Sequence, residues 1–319
     1  MIEVNASKGG QMLRTALSLS AITNTPVKIY NIRKKRQNPG LRYQHLAALR
    51  SVRKISRGSV EGDYLGSQEV IFYPGKIVGG RYEFDITTAG STILLAQTII
   101  PILLKANKKS IVEIVGGTFN KFAPSYDHFS NFINLLNVMG YKLSVELLKP
   151  GYAPLGKGRI RLKIEPSKFY PITNIPKEER ISALIRISSL PFHIALREKK
   201  VFVQNNIEDV RIIEEEGGVG NVVFAKRGFV GIDVLGEKGK RAEVVADECI
   251  KMLKEEKGEV DRFTADQLMI YLGLGSGSYT SSLLTDHMIS NAEVIEKFLN
   301  VKFEFEKKED ACKVSVKHI

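Results

Sequence analysis

Apolar residues recur at helical spacing in GGQMLRTALSLSAI, beginning at Gly9, and VKIYNIR then alternates in the manner of a strand. A Gly/Pro loop follows, and YQHLAALRSVRKI opens a second helix, trailed by alternating stretches at Ser59–Leu65 and Gln68–Tyr73. The same order returns from Ala89: helix AGSTILLAQTIIPILL, strand SIVEIVGG, loop TFNKFAPS, helix YDHFSNFINLLNVMG and strand YKLSVELL. It returns again as helix TADQLMIYLGLG, strand SYTSSLL, helix DHMISNAEVIEKFL and strands VKFEFEK and ACKVSVK. Three units of helix–strand–helix–strand–strand are expected. Helices of about a dozen residues between strands predict parallel crossovers, and the closing strand pairs predict antiparallel ones.

Between Pro176 and Gly258 the rhythm breaks. A charged PKEER leads to a helix-like SALIRISSLPFHIALREKK, a strand VFVQ, the segments IEDVRIIEEEGG and VVFAKRGFVGIDVL, and a helix RAEVVADECIKMLKEEKG. The expected class is α/β (α+β): a large domain of residues 1–176 plus 259–319, with a smaller α/β domain, 177–258, inserted in it.

The 319 residues, 43% hydrophobic and 26% charged, suit a globular chain with a real core. Lys and Arg exceed Asp and Glu by 47 to 35, a net charge of +12, which directs attention to anionic partners, nucleic acid or nucleotide phosphate first. Two cysteines, Cys249 and Cys312, exclude a disulfide framework and a Cys-rich zinc site, so a reducing, cytoplasmic setting is expected. MIEVNASKGG is unlike a signal peptide, and the apolar run from Ile93 to Leu104 is too short to span a bilayer.

Glycine-rich turns meet helix ends at Gly9–Gly10, Ala89–Ser91, Gly116–Thr118 and Gly275–Ser278, and such turns offer backbone N–H groups to anions. None completes a Walker or dinucleotide fingerprint, and turn glycine is the plainer account of any single one. The run IRKKRQNPGLRYQHL gathers Arg33, Lys34, Lys35, Arg36 and Arg42 in an exposed loop, either a solvated face or a phosphate grip. Tyr30 and Tyr43 could stack on bases. His193, inside an apolar pattern, is expected to be structural. His45, His128 and His287 each open the second helix of their unit and are candidates for acid–base or nucleophilic work. Position alone does not choose among them; Asp266, Gln267 and the GLGSGS turn in the same unit favour His287.

Together GGQMLRTALSLS, IRKKRQNPGLRYQHL, TAGSTILLAQ, GGTFNKFAP, TADQL and HMISNAEVIEKFL resemble the RNA 3′-terminal phosphate cyclase family, in order from about Gly9 to Phe303. The resemblance implies an ATP-dependent, AMP-forming ligase that converts an RNA 3′-phosphate into a 2′,3′-cyclic phosphodiester through a histidine–AMP adduct. By it His287 is the nucleophile. Arg14 and Arg33 are catalytic phosphate contacts; Gln97, Phe263, Thr264, Ala265, Asp266 and Gln267 meet ATP. Arg33, Arg36, Arg42 and Gln44 meet the RNA phosphate. ATP is the implied co-substrate, with a divalent metal, Mg2+ by expectation; RNA with a 3′-phosphate is the partner, no membrane is involved, and a homodimer is left open.

The chain departs from the family at NASKGG, where members usually begin DGSxGEGGGQ: Ser7, beside Lys8, stands where the family has a metal-holding glutamate. The metal site is therefore left unassigned, with Glu3, Asp266 or the substrate's own phosphates as alternatives. The competing expectation is a non-catalytic cyclase-like RNA-binding protein acting in ribosome assembly, against which the retained His287 weighs. An enolpyruvyl transferase built of similar units would need a motif that is absent.

Overall fold

A computed structural model describes all residues, 1–319. It is mixed α/β, with eight helices and four four-stranded mixed sheets. The first sheet holds β1 (Ile2–Asn5), β2 (Val27–Tyr30), β3 (Ser59–Glu61) and β4 (Val70–Tyr73), with helices α1 (Gly10–Thr23) and α2 (Tyr43–Ser56) between them. The second holds β5 (Arg81–Asp85), β6 (Ser110–Gly116), β7 (Leu143–Lys149) and β8 (Gly158–Ile164), with α3 (Thr92–Leu104) and α4 (Tyr126–Val138). Their orders are β1-β2-β4-β3 and β5-β6-β8-β7; in each the first two strands are parallel and the rest antiparallel.

Each sheet opens on a strand that the sequence pattern did not suggest. β1 and β5 are short edge strands whose parallel partner arrives only after a helix, so no local hairpin signals them. The last sheet behaves alike: β9, only Pro171–Ile172, pairs in parallel with β14 (Ser276–Ser281), followed by the hairpin β15 (Val301–Lys307) and β16 (Cys312–His318). Helices α7 (Arg262–Leu274) and α8 (Asp286–Phe298) complete it.

Between β9 and α7 lie the elements from Ile181 to Glu255: β10 (Ile181–Ser188), α5 (His193–Gln204), β11 (Val210–Glu215), β12 (Gly220–Arg227), β13 (Val230–Leu235) and α6 (Ala242–Glu255). Two local expectations fail here. SALIRIS is a strand, because β10 is central in its sheet and flanked by both β11 and β12. VFVQ is the last turn of α5, where Val201 and Phe202 are buried against the sheet and tertiary packing overrides β propensity. His193 sits exposed at the start of α5 rather than inside an apolar face.

One apolar cluster runs through the first three sheets and their helices, and a separate one lies beneath α5 and α6. The first helices of the three sheets converge: α1 packs on α3 and α8, and α7 packs on α3 and α8. No helix is long and apolar enough to cross a membrane. Cys249 and Cys312 are both free and buried.

The sheet of β10, β11, β12 and β13 meets the second sheet's elements through charged groups. Arg186 on β10 donates to both carboxylate oxygens of Asp127 at 2.7 and 2.9 Å and to Glu215 at 2.6 Å. Its guanidinium also covers the rings of Phe119 and Tyr126, and Tyr152 donates to Glu215 at 2.9 Å. Nearby, buried Asp261 caps α7, accepting the N–H groups of Phe263 and Thr264, the Thr264 hydroxyl and the N–H of Gly231 on β13. His128 Nε2 lies 3.1 Å from Asp261 Oδ1. Burial alone would lower the His128 pKa, but Asp261 outweighs it and raises the group to about 9.

Removing one partner of a buried pair strands the other charge. Asp127→Ala should therefore lower unfolding free energy by about 3 kcal/mol, read as a shifted urea midpoint. Because the folded imidazole binds its proton more tightly than its ordinary value of 6.5, its contribution is complete below about pH 6.5 and fades as pH rises towards about 9. Thermal stability should fall across that window, and His128→Gln should flatten the fall.

Candidate active site at the meeting of four helices

α1 is apolar around most of its circumference, yet Gln11, Arg14, Thr15 and Ser18 recur at i, i+3, i+4 and i+7. This polar stripe faces the helix junction and lines a small cavity with Gln97 and Thr98 of α3, Asp266, Gln267 and Ile270 of α7, and Asn291 of α8. The junction is held by side chains: Thr15 donates to Asn291 at 2.8 Å, Asn291 to the Asp266 carbonyl at 3.1 Å, and Ser18 to the Thr98 carbonyl at 2.7 Å. Pro101 has no N–H, so α3 lacks its ordinary hydrogen bond to the Gln97 carbonyl within this wall.

Three cavity groups are unpaired or strained in charge. Arg14 meets only Gln11 of its own helix, at 3.3 Å, and no carboxylate; burial holds its pKa down at about 10. Gln97 Oε1 is a buried acceptor without a donor. Burial pushes the Asp266 carboxyl up to about 7, against the Thr285 hydroxyl that donates to it at 2.5 Å. An uncompensated cation, an open acceptor and a near-neutral carboxyl form a polar, anion-seeking pocket.

Thr285 also caps α8, accepting the Met288 N–H at 3.0 Å, and so ties the start of that helix to Asp266. His287 projects from this first turn and is exposed. Desolvation by its surroundings, then the charges of Arg14 and Arg36, lower its pKa, with Asp286 opposing; the ring is neutral near pH 7. At the other end of the cavity α1 starts at Gly9–Gly10 with no side-chain cap and no acid in its first turn. Its first N–H groups and the positive end of the helix face the basic loop.

The basic loop comes within reach of that end. Arg36 is the neighbour that a Cβ on Gly9 would meet, at 4.0 Å. Arg33 is in left-handed conformation (φ 54°) and donates to the Asn38 carbonyl at 3.0 Å. Arg33 and Arg42 act on His45, lowering its pKa after burial and Arg14. Gln44 turns away, to accept the Ser91 N–H at 3.4 Å.

Arg14, Gln97, Asp266 and Gln267 are thus brought to one cavity, with His287 tied to its edge, and Arg33, Arg36 and Arg42 border the α1 end. Thr264 and Ala265 are not surface groups: both are buried, Thr264 bonded to Asp261 and the Ala265 carbonyl to Tyr279. Phe263 is part-exposed, with its ring edge-on to His128. Thr15, Ser18, Thr98 and Asn291 escaped sequence reasoning, although polar residues on one line of an apolar helix are a readable signal. No cluster of three or more Asp, Glu, His or Cys side chains forms a metal donor set. Glu3 is exposed on β1, and Asp266 is engaged with Thr285.

A half-buried, desolvated guanidinium without a carboxylate costs stability that a bound anion would restore. Arg14→Met should raise the unfolding free energy of the free protein by about 1 kcal/mol, read as a higher urea midpoint. It should also abolish the upward thermal shift that inorganic phosphate gives the unsubstituted chain.

The family model for RNA 3′-terminal phosphate cyclase matches residues 5–305. A protein of that name from Sulfolobus acidocaldarius is 43% identical, covering 95% of this chain and 96% of its own. Namesakes from Sulfurisphaera tokodaii and Methanococcoides burtonii are 42% and 38% identical, covering 95% and 99% of this chain and 96% and 100% of their own. The enolpyruvyl transferase NikO from Streptomyces tendae overlays 98% of this chain and 48% of its own at 10% identity and a TM-score of 0.39, too distant to bear on fold or function. With a match across nearly the whole length and relatives at this identity, the chain belongs to the RNA 3′-terminal phosphate cyclase family of enzymes.

Proposed function

We propose that this chain uses ATP to convert an RNA 3′-phosphate end into a 2′,3′-cyclic phosphodiester, with His287 as nucleophile. The observation that carries the assignment is an exposed, neutral imidazole tied through Thr285 and Asp266 to a cavity with an unpaired Arg14. The neutral nitrogen's lone pair attacks the α-phosphorus of ATP, the bond to the bridging oxygen breaks, and pyrophosphate leaves with that electron pair. Arg14 and Arg36 stabilise the charge spreading over the phosphate oxygens, and their field favours the unprotonated ring that attack requires.

An oxygen of the RNA 3′-phosphate then attacks the adenylyl phosphorus. The P–N bond breaks and its electron pair returns to the imidazole. In the last step the neighbouring 2′-OH, losing its proton, closes on the 3′-phosphorus and AMP departs. Tethering supplies most of that step. Gln97, Asp266 and Gln267 fit the nucleotide side, and the Arg33–Arg42 loop fits the RNA end. A divalent ion would depend on the nucleotide's own phosphates, since the residues present, with Ser7 in the α1 approach, form no donor set for it. The segment 177–258 is proposed as an inserted domain latched by Arg186 and Asp261.

His287→Ala should lose acid-labile, base-stable AMP labelling from ATP labelled at the α-phosphate, and cyclisation with it, by at least a thousandfold. His128→Ala should still label. His287→Ala should also still close an RNA already carrying AMP on its 3′-phosphate. Label persisting in His287→Ala would refute the nucleophile assignment. RNA binding with no label in the unsubstituted chain would favour a non-catalytic role.

A further inference from the structure

Phe122 is 91% exposed, more than any other large apolar residue, the two chain ends included. Its backbone is also left-handed, with φ 66°. Bulky residues rarely adopt that region, and holding one there costs stability. The loop around it is tied down on both sides. Before it the Asn120 amide donates to the Ala89 carbonyl. After it the Ser125 N–H donates to Asp233 at 2.9 Å and the Tyr126 N–H to the Thr118 carbonyl at 3.1 Å. Folding thus holds an aromatic ring in water, in a strained conformation, where packing gains nothing from it.

Two further loops bring exposed apolar groups beside this one. Gly156, between β7 and β8, comes so close to Ala89 that a Cβ on it would lie 2.7 Å from the Ala89 Cα. Leu155 next to it is exposed, as is Lys157, which is left-handed too (φ 53°). Leu155 in turn borders Gly218, where a Cβ would meet it at 3.6 Å, and the following Val219 is exposed between β11 and β12. Lys121 places its Nζ 5.6 Å from the centre of the Phe122 ring and 3.2 Å from Glu237, after β13. Phe122, Leu155 and Val219, with Lys121 and Lys157 as chain neighbours, follow the seam between the second sheet and the segment 177–258.

We propose that Phe122 is a stacking platform for an unpaired base of the RNA strand, which crosses the surface along this seam. The choice of RNA rests on the function proposed above. A pocket that binds a free nucleotide encloses the base, whereas Phe122 stands in solvent on all but its lysine side. A lone exposed ring suits a single strand, whose bases stack on aromatic side chains while lysines meet its phosphates. Lys121 and Lys157 supply that charge locally, on a chain of net charge +12. Stacking recovers apolar contact that folding leaves unmade, which gives the strained backbone a use. A base is read here by its flat face, so the platform is indifferent to whether the strand ends in a phosphate.

The chain has no tryptophan, so Phe122→Trp places a single indole at the platform. Its fluorescence should be quenched by oligoadenylate, but not by an abasic ribose-phosphate strand of equal length and not by ATP. Phe122→Trp should bind RNA as tightly as the unsubstituted chain. Phe122→Gly suits a left-handed backbone and should unfold at no lower urea concentration, so that a binding loss is not a folding loss. It should bind oligoadenylate roughly 5- to 100-fold more weakly, equally for 3′-phosphate and 3′-hydroxyl ends, with AMP labelling from ATP unchanged. Equal quenching by the abasic strand, quenching by ATP alone, or full RNA affinity in Phe122→Gly would overturn the assignment; a partner protein covering the patch would give the last of these. If RNA quenches the indole while the unsubstituted chain neither labels nor cyclises, the proposed function falls and the platform stands. If the chain cyclises RNA and the indole does not respond, the platform alone falls.

Discussion

The packing of α1 against α3 and α8 is the constraint on which the rest of the molecule depends. An apolar helix can be buried on nearly every side, but Gln11, Arg14, Thr15 and Ser18 form one polar line that its own sheet cannot satisfy. Thr15 finds its partner on α8, and Ser18 donates to α3 as well as to the Arg14 carbonyl of its own helix. The helices must meet in one register for those bonds to form, and a one-turn slip would leave the Thr15 hydroxyl without Asn291. The same register leaves Arg14 facing a space that no carboxylate fills. Assembly of the helix layer and creation of the cavity are a single event.

Two arginines, Arg186 buried and Arg14 half-buried, show how differently the protein treats charge. Arg186 is enclosed by Asp127, Glu215 and two aromatic rings, and its pKa rises as the carboxylates outweigh burial. It holds two sheets in place and has nothing left to offer a ligand. Arg14, half-buried, is desolvated without a carboxylate to compensate, and its pKa falls. Natural cores rarely tolerate such a group without a use for it. The coordination that folding omits is left for an external anion under the proposed function.

Much of this could be read in the sequence. Helical periodicity found most helices outside residues 177–258, and the Gly-rich starts and the basic loop marked the site's rim. The opening strands were missed for a physical reason: β9 has two residues, and its partner β14 follows a whole intervening sheet. β10 was misread because a strand flanked on both sides loses the alternation that identifies half-buried strands. In TADQL the pattern could not say which residues face the cavity. Asp266 and Gln267 do, while Thr264 serves the Asp261 cap.

The three histidines that open second helices make the last step of the argument. Each stands in a first turn, where the helix's positive end disfavours an imidazolium. His45 and His128 are third in their helices and His287 second, so what sets the rings apart is chiefly what faces them. His128 faces Asp261 and keeps its proton, with its nitrogen occupied. His45 faces three arginines and loses it, but one nitrogen is spent on Arg42 and the other carries a hydrogen over Gly10. Only His287 is unprotonated, exposed and without a hydrogen-bonding partner on its ring. A nucleophile needs an available lone pair, and of these three first-turn histidines His287 has one free, which is the physical ground for the proposed role.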